Sequence, residues 1–193
     1  GTHFSTAYIN RISNLALDRA RRNDVRTVLD IDYRPVLWGL TRRGDGETRF
    51  IPSDGVTAHL QSILPKIDLA IGTIEEFNIA GGSTDIIASL RRVRELTAAT
   101  LVVKRGPMGC AVIAGAIPAS LDDAFNGKGV EVEVLNVLGA GDAFSAGFMS
   151  GWVRGEDYDR CTRYANACGA MVVSRHGCSP AMPTRAELGW FLA

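Results

Sequence analysis

The sequence lacks the features that mark zinc-binding, membrane-spanning or nucleic-acid-binding proteins. Its four cysteines and three histidines form no CxxC pair and no zinc spacing, so we interpret the cysteines as small buried residues in a reducing environment. No apolar run approaches the roughly 20 residues needed to span a bilayer. Basic and acidic residues number 21 each, which argues against nucleic acid or an anionic membrane held by bulk charge. We therefore expect a cytoplasmic protein that binds neither nucleic acid nor a membrane.

Two common phosphate-binding motifs are also missing. No G-x-x-x-x-G-K-[ST] occurs, which excludes a P-loop. A dinucleotide fingerprint would need a third glycine at the position of Phe144, and a further βαβ unit downstream. A dehydrogenase is therefore a poor fit.

The pattern that is present alternates between strands and helices. Such alternation predicts an α/β fold with a doubly wound, mainly parallel sheet flanked by helices, and we interpret residues 1–193 as a single domain. Ligands of such sheets bind at the carboxyl ends of the strands. The predicted strands are 25–31, 67–71, 100–104, 110–113 and 130–135, and the predicted helices are 10–23, 56–64, 74–79, 83–97, 139–153, 157–174 and one capped by Thr184.

The strongest candidate for chemistry is the turn Gly139-Ala140-Gly141-Asp142, which joins a predicted strand to a predicted helix. Glycines let a backbone bend and approach a ligand, and the first N–H groups of a helix attract anions. Asp142 then has two interpretations. It is either the N-cap of the helix or a general base that takes a proton from a hydroxyl attacking phosphorus.

The turn and its flanks, Asn136-Val-Leu-Gly-Ala-Gly-Asp142 followed by Ala-Phe-Ser-Ala-Gly, resemble the second signature of the PfkB/ribokinase carbohydrate kinase family. The resemblance implies that Asp142 is the catalytic base and that the N–H groups of Ala140, Gly141 and Asp142 form the anion hole, with Gly139 completing the turn. It also implies ATP and Mg²⁺ as cofactors. The family has Asp where this chain has Asn136, in a loop that binds a monovalent cation, so that cation is in doubt.

Three further stretches resemble the family's nucleotide site. Residues 104–109, with Lys104, Gly106 and Gly109, resemble its nucleotide loop, although an ordinary glycine turn would look the same. Glu75 resembles the acid that acts on Mg²⁺ through water, the alternative being a solvated acid in the first turn of a helix. Asn166 is implied at the adenine, and a loop that includes Gly177 is implied around the nucleotide.

Arg34 lies in the stretch Asp30-Ile-Asp-Tyr-Arg-Pro-Val-Leu-Trp38, which resembles the family's kinases for keto-sugar acids and is closest to those for 5-dehydro-2-deoxygluconate in inositol catabolism. A guanidinium grips a carboxylate with two hydrogen bonds, so Arg34 is the candidate for the substrate's acid group. The alternative is a surface arginine paired with Asp30 or Asp32.

The resemblance spans essentially the whole chain but only the later part of the family pattern. We therefore expect the first strands, the lid and most sugar contacts to be missing, and the chain alone to be weakly active or inactive. An exposed sheet edge would favour association, with a homodimer as the simplest product. The alternatives are a kinase for another small sugar or nucleoside, of the 2-keto-3-deoxygluconate, fructose or ribose type, and an inactive nucleotide-binding domain.

Overall fold

A computed structural model describes residues 4–41 and 50–193. The chain divides into two compact units. The first unit comprises Gly1–Lys104 with Ile113–Ala124, and the second comprises Arg105–Val112 with Phe125–Ala193.

Among its described residues, the first unit contains four α-helices and three complete strands. In chain order they are α1 (Ala7–Arg22), β1 (Val28–Asp30), α2 (Asp54–Ile63), β2 (Leu69–Thr73), α3 (Ile74–Gly81), α4 (Ile86–Leu96) and β3 (Thr100–Lys104). The three strands are parallel, with Asp30 opposite Ile71 and Thr73 opposite Lys104. The predicted α/β pattern of this unit is confirmed, and its strands end at one edge of the sheet.

The core of the first unit lies around these strands. Burying large aliphatic and aromatic side chains is the main stabilising contribution to such a unit. Side chains that are less than 2 % exposed include Ile31, Leu60, Leu69, Ile71, Phe77, Leu90 and Leu101.

Helix α1 has an exposed apolar face. The helix forms where its periodicity predicts it, with Thr6 as N-cap. None of its residues is buried, and Leu15 is 62 % exposed. Helical periodicity therefore identified this helix but not what its face would contact.

The second unit contains the antiparallel pair β4 (Cys110–Ile113, whose last residue belongs to the first unit) and β5 (Phe125–Gly127), followed by helices α5 (Ala140–Trp152), α6 (Tyr158–Val173) and α7 (Arg185–Phe191). Helices α5 and α6 pack closely because Gly147 has no side chain. A Cβ atom there would lie 2.6 Å from the carbonyl oxygen of Tyr164. The four cysteines are free thiols, of which only Cys178 is not buried. The prediction of buried cysteines therefore holds for Cys110, Cys161 and Cys168 and not for Cys178.

Two local predictions are wrong. Residues 130–135 form no strand, and the strand in this region is β5, which pairs with β4 at residues 125–127. The helix predicted over residues 83–97 starts only at Ile86, because its N-cap is Asp85 and not Ser83; the carboxylate of Asp85 accepts from the N–H of Ala88. The hydroxyl of Ser83 accepts instead from the N–H of Asp85, which lies before the helix. No helix in the described ranges is long and apolar enough to cross a membrane.

Candidate functional site

Asp142 is the third residue of helix α5 and is exposed. The N-cap of the helix is Gly139, in the left-handed conformation with φ +85°. The capping interpretation of Asp142 therefore fails, because another residue occupies that position. A carboxylate in the first turn is still favoured by the helix dipole, and here it is also accessible from solvent.

The backbone around Asp142 offers N–H donors. The N–H of Ala140 donates to the carbonyl oxygen of Val137 at 3.3 Å, so one of the three groups expected in an anion hole already has a weak partner. Within the described part of the chain, the N–H groups of Gly141 and Asp142 have no acceptor outside the helix. They are first-turn groups, which a helix cannot satisfy internally. Two of the three expected donors are thus available to an anion.

The turn packs against the loop that contains Gly177. A Cβ atom on Gly139 would lie 2.6 Å from the sulfur of Cys178, so only glycine fits there without a shift. Gly177 itself has φ +92°, and its carbonyl oxygen accepts from Asn136. The structure therefore brings the predicted turn and the predicted nucleotide loop together.

The two glycines of the other predicted nucleotide loop differ in their surroundings. Gly106 has φ +57°, and a Cβ atom there would meet nothing within 4 Å. Gly109 has φ +86°, and a Cβ atom there would lie 2.0 Å from the carbonyl oxygen of Gly127. Close packing of the backbone therefore explains Gly109, whereas Gly106 leaves open space into which a ligand could come.

Asn166 is buried on helix α6, and its amide is used inside the protein. Its Nδ2 donates to the carbonyl oxygen of Lys128 at 2.9 Å and lies 4.0 Å from the sulfur of Cys110. Burial raises the pKa of that thiol to about 11, so it stays protonated at neutral pH. The contacts give Asn166 a structural role, and a contact with adenine stays a prediction.

In the first unit, a charged cluster gathers at the carboxyl ends of the parallel strands. Lys104, half-buried at the end of β3, lies 3.3 Å from the carboxylate of Asp30 and 3.9 Å from that of Glu76. Burial raises the pKa of Glu76 most strongly, and the Asp30 charge raises it further. The Lys104 charge and the backbone N–H groups of Thr73 and Tyr33 act in the opposite direction. This cluster occupies the sheet edge where ligands of such folds bind.

Glu76, rather than the predicted Glu75, belongs to this cluster. The carboxylate of Glu76 accepts from the N–H of Thr73 at 2.7 Å, and the hydroxyl of Thr73 accepts from the N–H of Glu76, which completes a capping box. Glu75 is exposed in the same turn. The spacing of Thr73 and Glu76, a threonine followed three residues later by glutamate, was the sequence signal that could have identified Glu76.

Arg34 follows β1, and its Nε lies 3.0 Å from the carboxylate of Asp32. Both side chains are partly exposed, at 57 % for Arg34 and 35 % for Asp32. Asp32 has φ +35°, an uncommon conformation for a residue other than glycine. The arginine is therefore accessible to a ligand but already has the acidic partner that the alternative interpretation expected.

Known proteins resemble the chain both in sequence and in fold. Residues 46–185, which are more than half of the chain, match the family described as "pfkB family carbohydrate kinase". The 5-dehydro-2-deoxygluconokinase of Bacillus licheniformis is 29 % identical over 182 residues, which are 92 % of this chain and 50 % of that protein. The chain thus spans about half the length of the curated relatives it matches.

Two crystal structures show the same fold at low sequence identity. Aminoimidazole riboside kinase from Salmonella enterica, complexed with aminoimidazole riboside and an ATP analog, has a TM-score of 0.79 at 20 % identity, over 99 % of this chain and 60 % of that one. A putative ribokinase II from E. coli, in complex with ATP and Mg²⁺, has a TM-score of 0.77 at 20 % identity, over 97 % and 55 %. The predicted ribokinase-like fold is confirmed.

Proposed function

Because the chain belongs to the pfkB family of carbohydrate kinases, we propose that it forms the ATP-binding and base-carrying part of a sugar-acid kinase. The reaction would transfer the terminal phosphoryl group of ATP to a hydroxyl of the substrate. The best candidate substrate is 5-dehydro-2-deoxy-D-gluconate, which would become its 6-phosphate, since curated relatives carry the name 5-dehydro-2-deoxygluconokinase.

The observation that carries the proposal is the place of Asp142, an exposed carboxylate that does not cap its helix. In the proposed step, the substrate oxygen attacks the terminal phosphorus, its proton passes to Asp142, and ADP leaves. Negative charge develops on the transferred group. The N–H groups of Gly141 and Asp142 at the start of α5 would stabilise it, as helix N-termini do for phosphates.

The nucleotide would lie against residues of the second unit. Gly106 offers an open approach to the backbone, and the loop around Gly177 is held beside the turn. Mg²⁺ bound with the nucleotide would neutralise phosphate charge. In the first unit, Glu75 is an exposed acid and stays the candidate for a contact with Mg²⁺ through water. A structure of the same fold with ATP and Mg²⁺ supports this choice of cofactors.

Arg34 carries the argument for an acidic substrate. An exposed guanidinium can exchange a partly exposed partner, here Asp32, for a carboxylate that it binds through two hydrogen bonds. If Arg34 instead stays paired with Asp32, the pair is purely structural. That outcome favours the second candidate, a kinase for a neutral sugar or nucleoside.

The test is ATP consumption by this chain, and by any longer product of the same gene, with sugar acids and neutral sugars side by side. We expect an acid to be the best substrate and Asp142→Asn to lower kcat by roughly 10²–10⁴-fold, the usual contribution of a general base. Asp159→Asn, in the first turn of α6, is the matched control and should retain wild-type turnover. Near-normal turnover by Asp142→Asn would remove the base assignment, and a preference for neutral sugars would favour the second candidate.

A further inference from the structure

The side chain of Asn136 connects two segments that are 41 residues apart. Its Nδ2 donates to the carbonyl oxygen of Gly177 at 2.7 Å, and its Oδ1 accepts from the N–H of Leu138 at 2.8 Å. These partners fix the orientation of the amide, because a carbonyl oxygen can only accept and an N–H can only donate. Both ends of one side chain are therefore used, one within the turn and one on the loop.

Other contacts join the same two segments. The N–H groups of Leu135 and Asn136 donate to the carbonyl oxygen of Val173 at 2.8 and 3.2 Å. Gly139 packs on the sulfur of Cys178. Since Gly139 is the N-cap of α5, the position of the loop 174–179 constrains the start of the helix that carries Asp142.

We propose that Asn136 is a positioning residue whose amide fastens the loop 174–179 to the turn, so that the turn keeps its shape without a bound monovalent cation. An aspartate in its place could still accept from the N–H of Leu138. It could not donate to the carbonyl oxygen of Gly177, and two negatively polarised oxygens would then face each other. Such a pair repels unless a cation, or a donor such as a water molecule, bridges the two oxygens. The amide N–H replaces that cation with a group of the chain itself.

The fastening is a property of the second unit. Only its link to catalysis, through Asp142, rests on the proposed function. The test therefore uses readouts that need no substrate, so that a failure of the proposed reaction and a failure of this inference are distinguishable.

Hydrogen exchange of the segments 135–139 and 174–179 is measured for the wild type, Asn136→Asp and Asn136→Ala, in potassium chloride and in tetramethylammonium chloride at equal ionic strength. Tetramethylammonium is too large to lie between two oxygens at hydrogen-bond distance. Asn23→Asp is the matched control. The Nδ2 of Asn23 also donates to a backbone carbonyl, that of Arg19 at 2.7 Å, but in the first unit.

We expect the wild type to exchange at the same rate in both salts. Losing the amide donor should speed exchange of the loop roughly five- to tenfold in tetramethylammonium, the effect of about one hydrogen bond. Potassium should reverse this for Asn136→Asp but not for Asn136→Ala, and Asn23→Asp should leave the loop unchanged in either salt.

Three results would overturn the inference. Slower exchange of the wild-type loop in potassium would mean that the natural chain binds a cation there. Wild-type exchange in Asn136→Asp without potassium would mean that the amide fastens nothing. If Asn136→Asp speeds exchange of the loop and potassium does not slow it again, the amide does not take the place of a cation.

Discussion

Glu76 accepts a hydrogen bond from the backbone N–H of Tyr33 at 3.1 Å, across 43 residues of sequence. The same carboxylate caps α3 through Thr73 and lies 3.9 Å from the ammonium group of Lys104. One side chain thus joins the ends of all three parallel strands of the first unit. It also holds the loop that leads to Arg34, the candidate for the substrate's acid group.

Replacing Glu76 by glutamine should destabilise the protein by roughly 1–3 kcal/mol, because an amide cannot accept from both Tyr33 and Thr73 as the carboxylate does. The measurement is the free energy of unfolding in urea. Asp123→Asn is the matched control, since Asp123 completes a capping box with Ser120 in an exposed turn. An equal loss in both variants would mean that capping alone explains the effect.

The same variant should change how stability depends on pH. Burial raises the pKa of Glu76 above its usual value of 4.5 in the folded state. The folded protein therefore holds the proton more tightly than the unfolded chain, so this group's contribution to stability falls as pH rises from 4.5 through the raised pKa. The stability gap between the wild type and Glu76→Gln should narrow over that interval. A gap that widens would show that the charge of Lys104 outweighs burial.

Arg34→Ala should leave stability within about 0.5 kcal/mol, because its bond to Asp32 is an exposed ion pair. If Arg34 binds the acid group of the substrate, the same variant should raise KM for sugar acids by roughly tenfold or more and leave neutral sugars unaffected. Arg92→Ala, which removes a comparable exposed pair with Glu95, is the control for both measurements. An unchanged KM for acids would leave Arg34 with contacts inside the protein and no role in substrate binding.

Asn166→Ala should lower stability by about 1 kcal/mol, since the part-buried hydrogen bond from Asn166 to the carbonyl oxygen of Lys128 would be lost. Thermal unfolding of the variant without nucleotide measures this cost. Nucleotide affinity, measured separately, tests the adenine contact. A loss of affinity with no loss of stability would favour the binding role over the structural one.

The sequence predicted what depends on local pattern and missed what depends on packing. Short apolar runs predicted β1, β2 and β3, and the glycines at 139 and 141 predicted the start of α5. Residues 130–135 have the composition of a strand, yet the N–H groups of Leu135 and Asn136 find their acceptor at the end of α6, not in a strand. Whether an apolar run pairs with a neighbour is decided by distant residues, which composition does not show.

The sequence analysis named Glu75 and missed Glu76 for the same reason. Both are acids in the first turn of α3, and only the three-dimensional contacts with Tyr33 and Lys104 distinguish them. The capping spacing from Thr73 favoured Glu76, but the resemblance to the family favoured Glu75.

Gly139→Ala should destabilise the second unit for two separable reasons. An alanine with φ +85° is strained by about 1 kcal/mol, and its Cβ atom would also lie 2.6 Å from the sulfur of Cys178. Gly155→Ala isolates the first reason, because Gly155 has φ +71° and a Cβ atom there meets nothing within 4 Å. Thermal unfolding should therefore show a larger loss for Gly139→Ala than for Gly155→Ala.

The contribution of the sulfur can be measured with a double variant. Cys178→Ala removes the atom that a Cβ on residue 139 would meet, while the next contact, Met182 Cε at 3.1 Å, is the end of a flexible side chain. Cys178→Ala should therefore cost less stability in the Gly139→Ala background than in the wild type, since neighbouring substitutions couple when they share a contact. If the two losses simply add, the left-handed backbone alone sets the cost at Gly139. The packing of the turn on Cys178 would then contribute nothing to the position of Asp142.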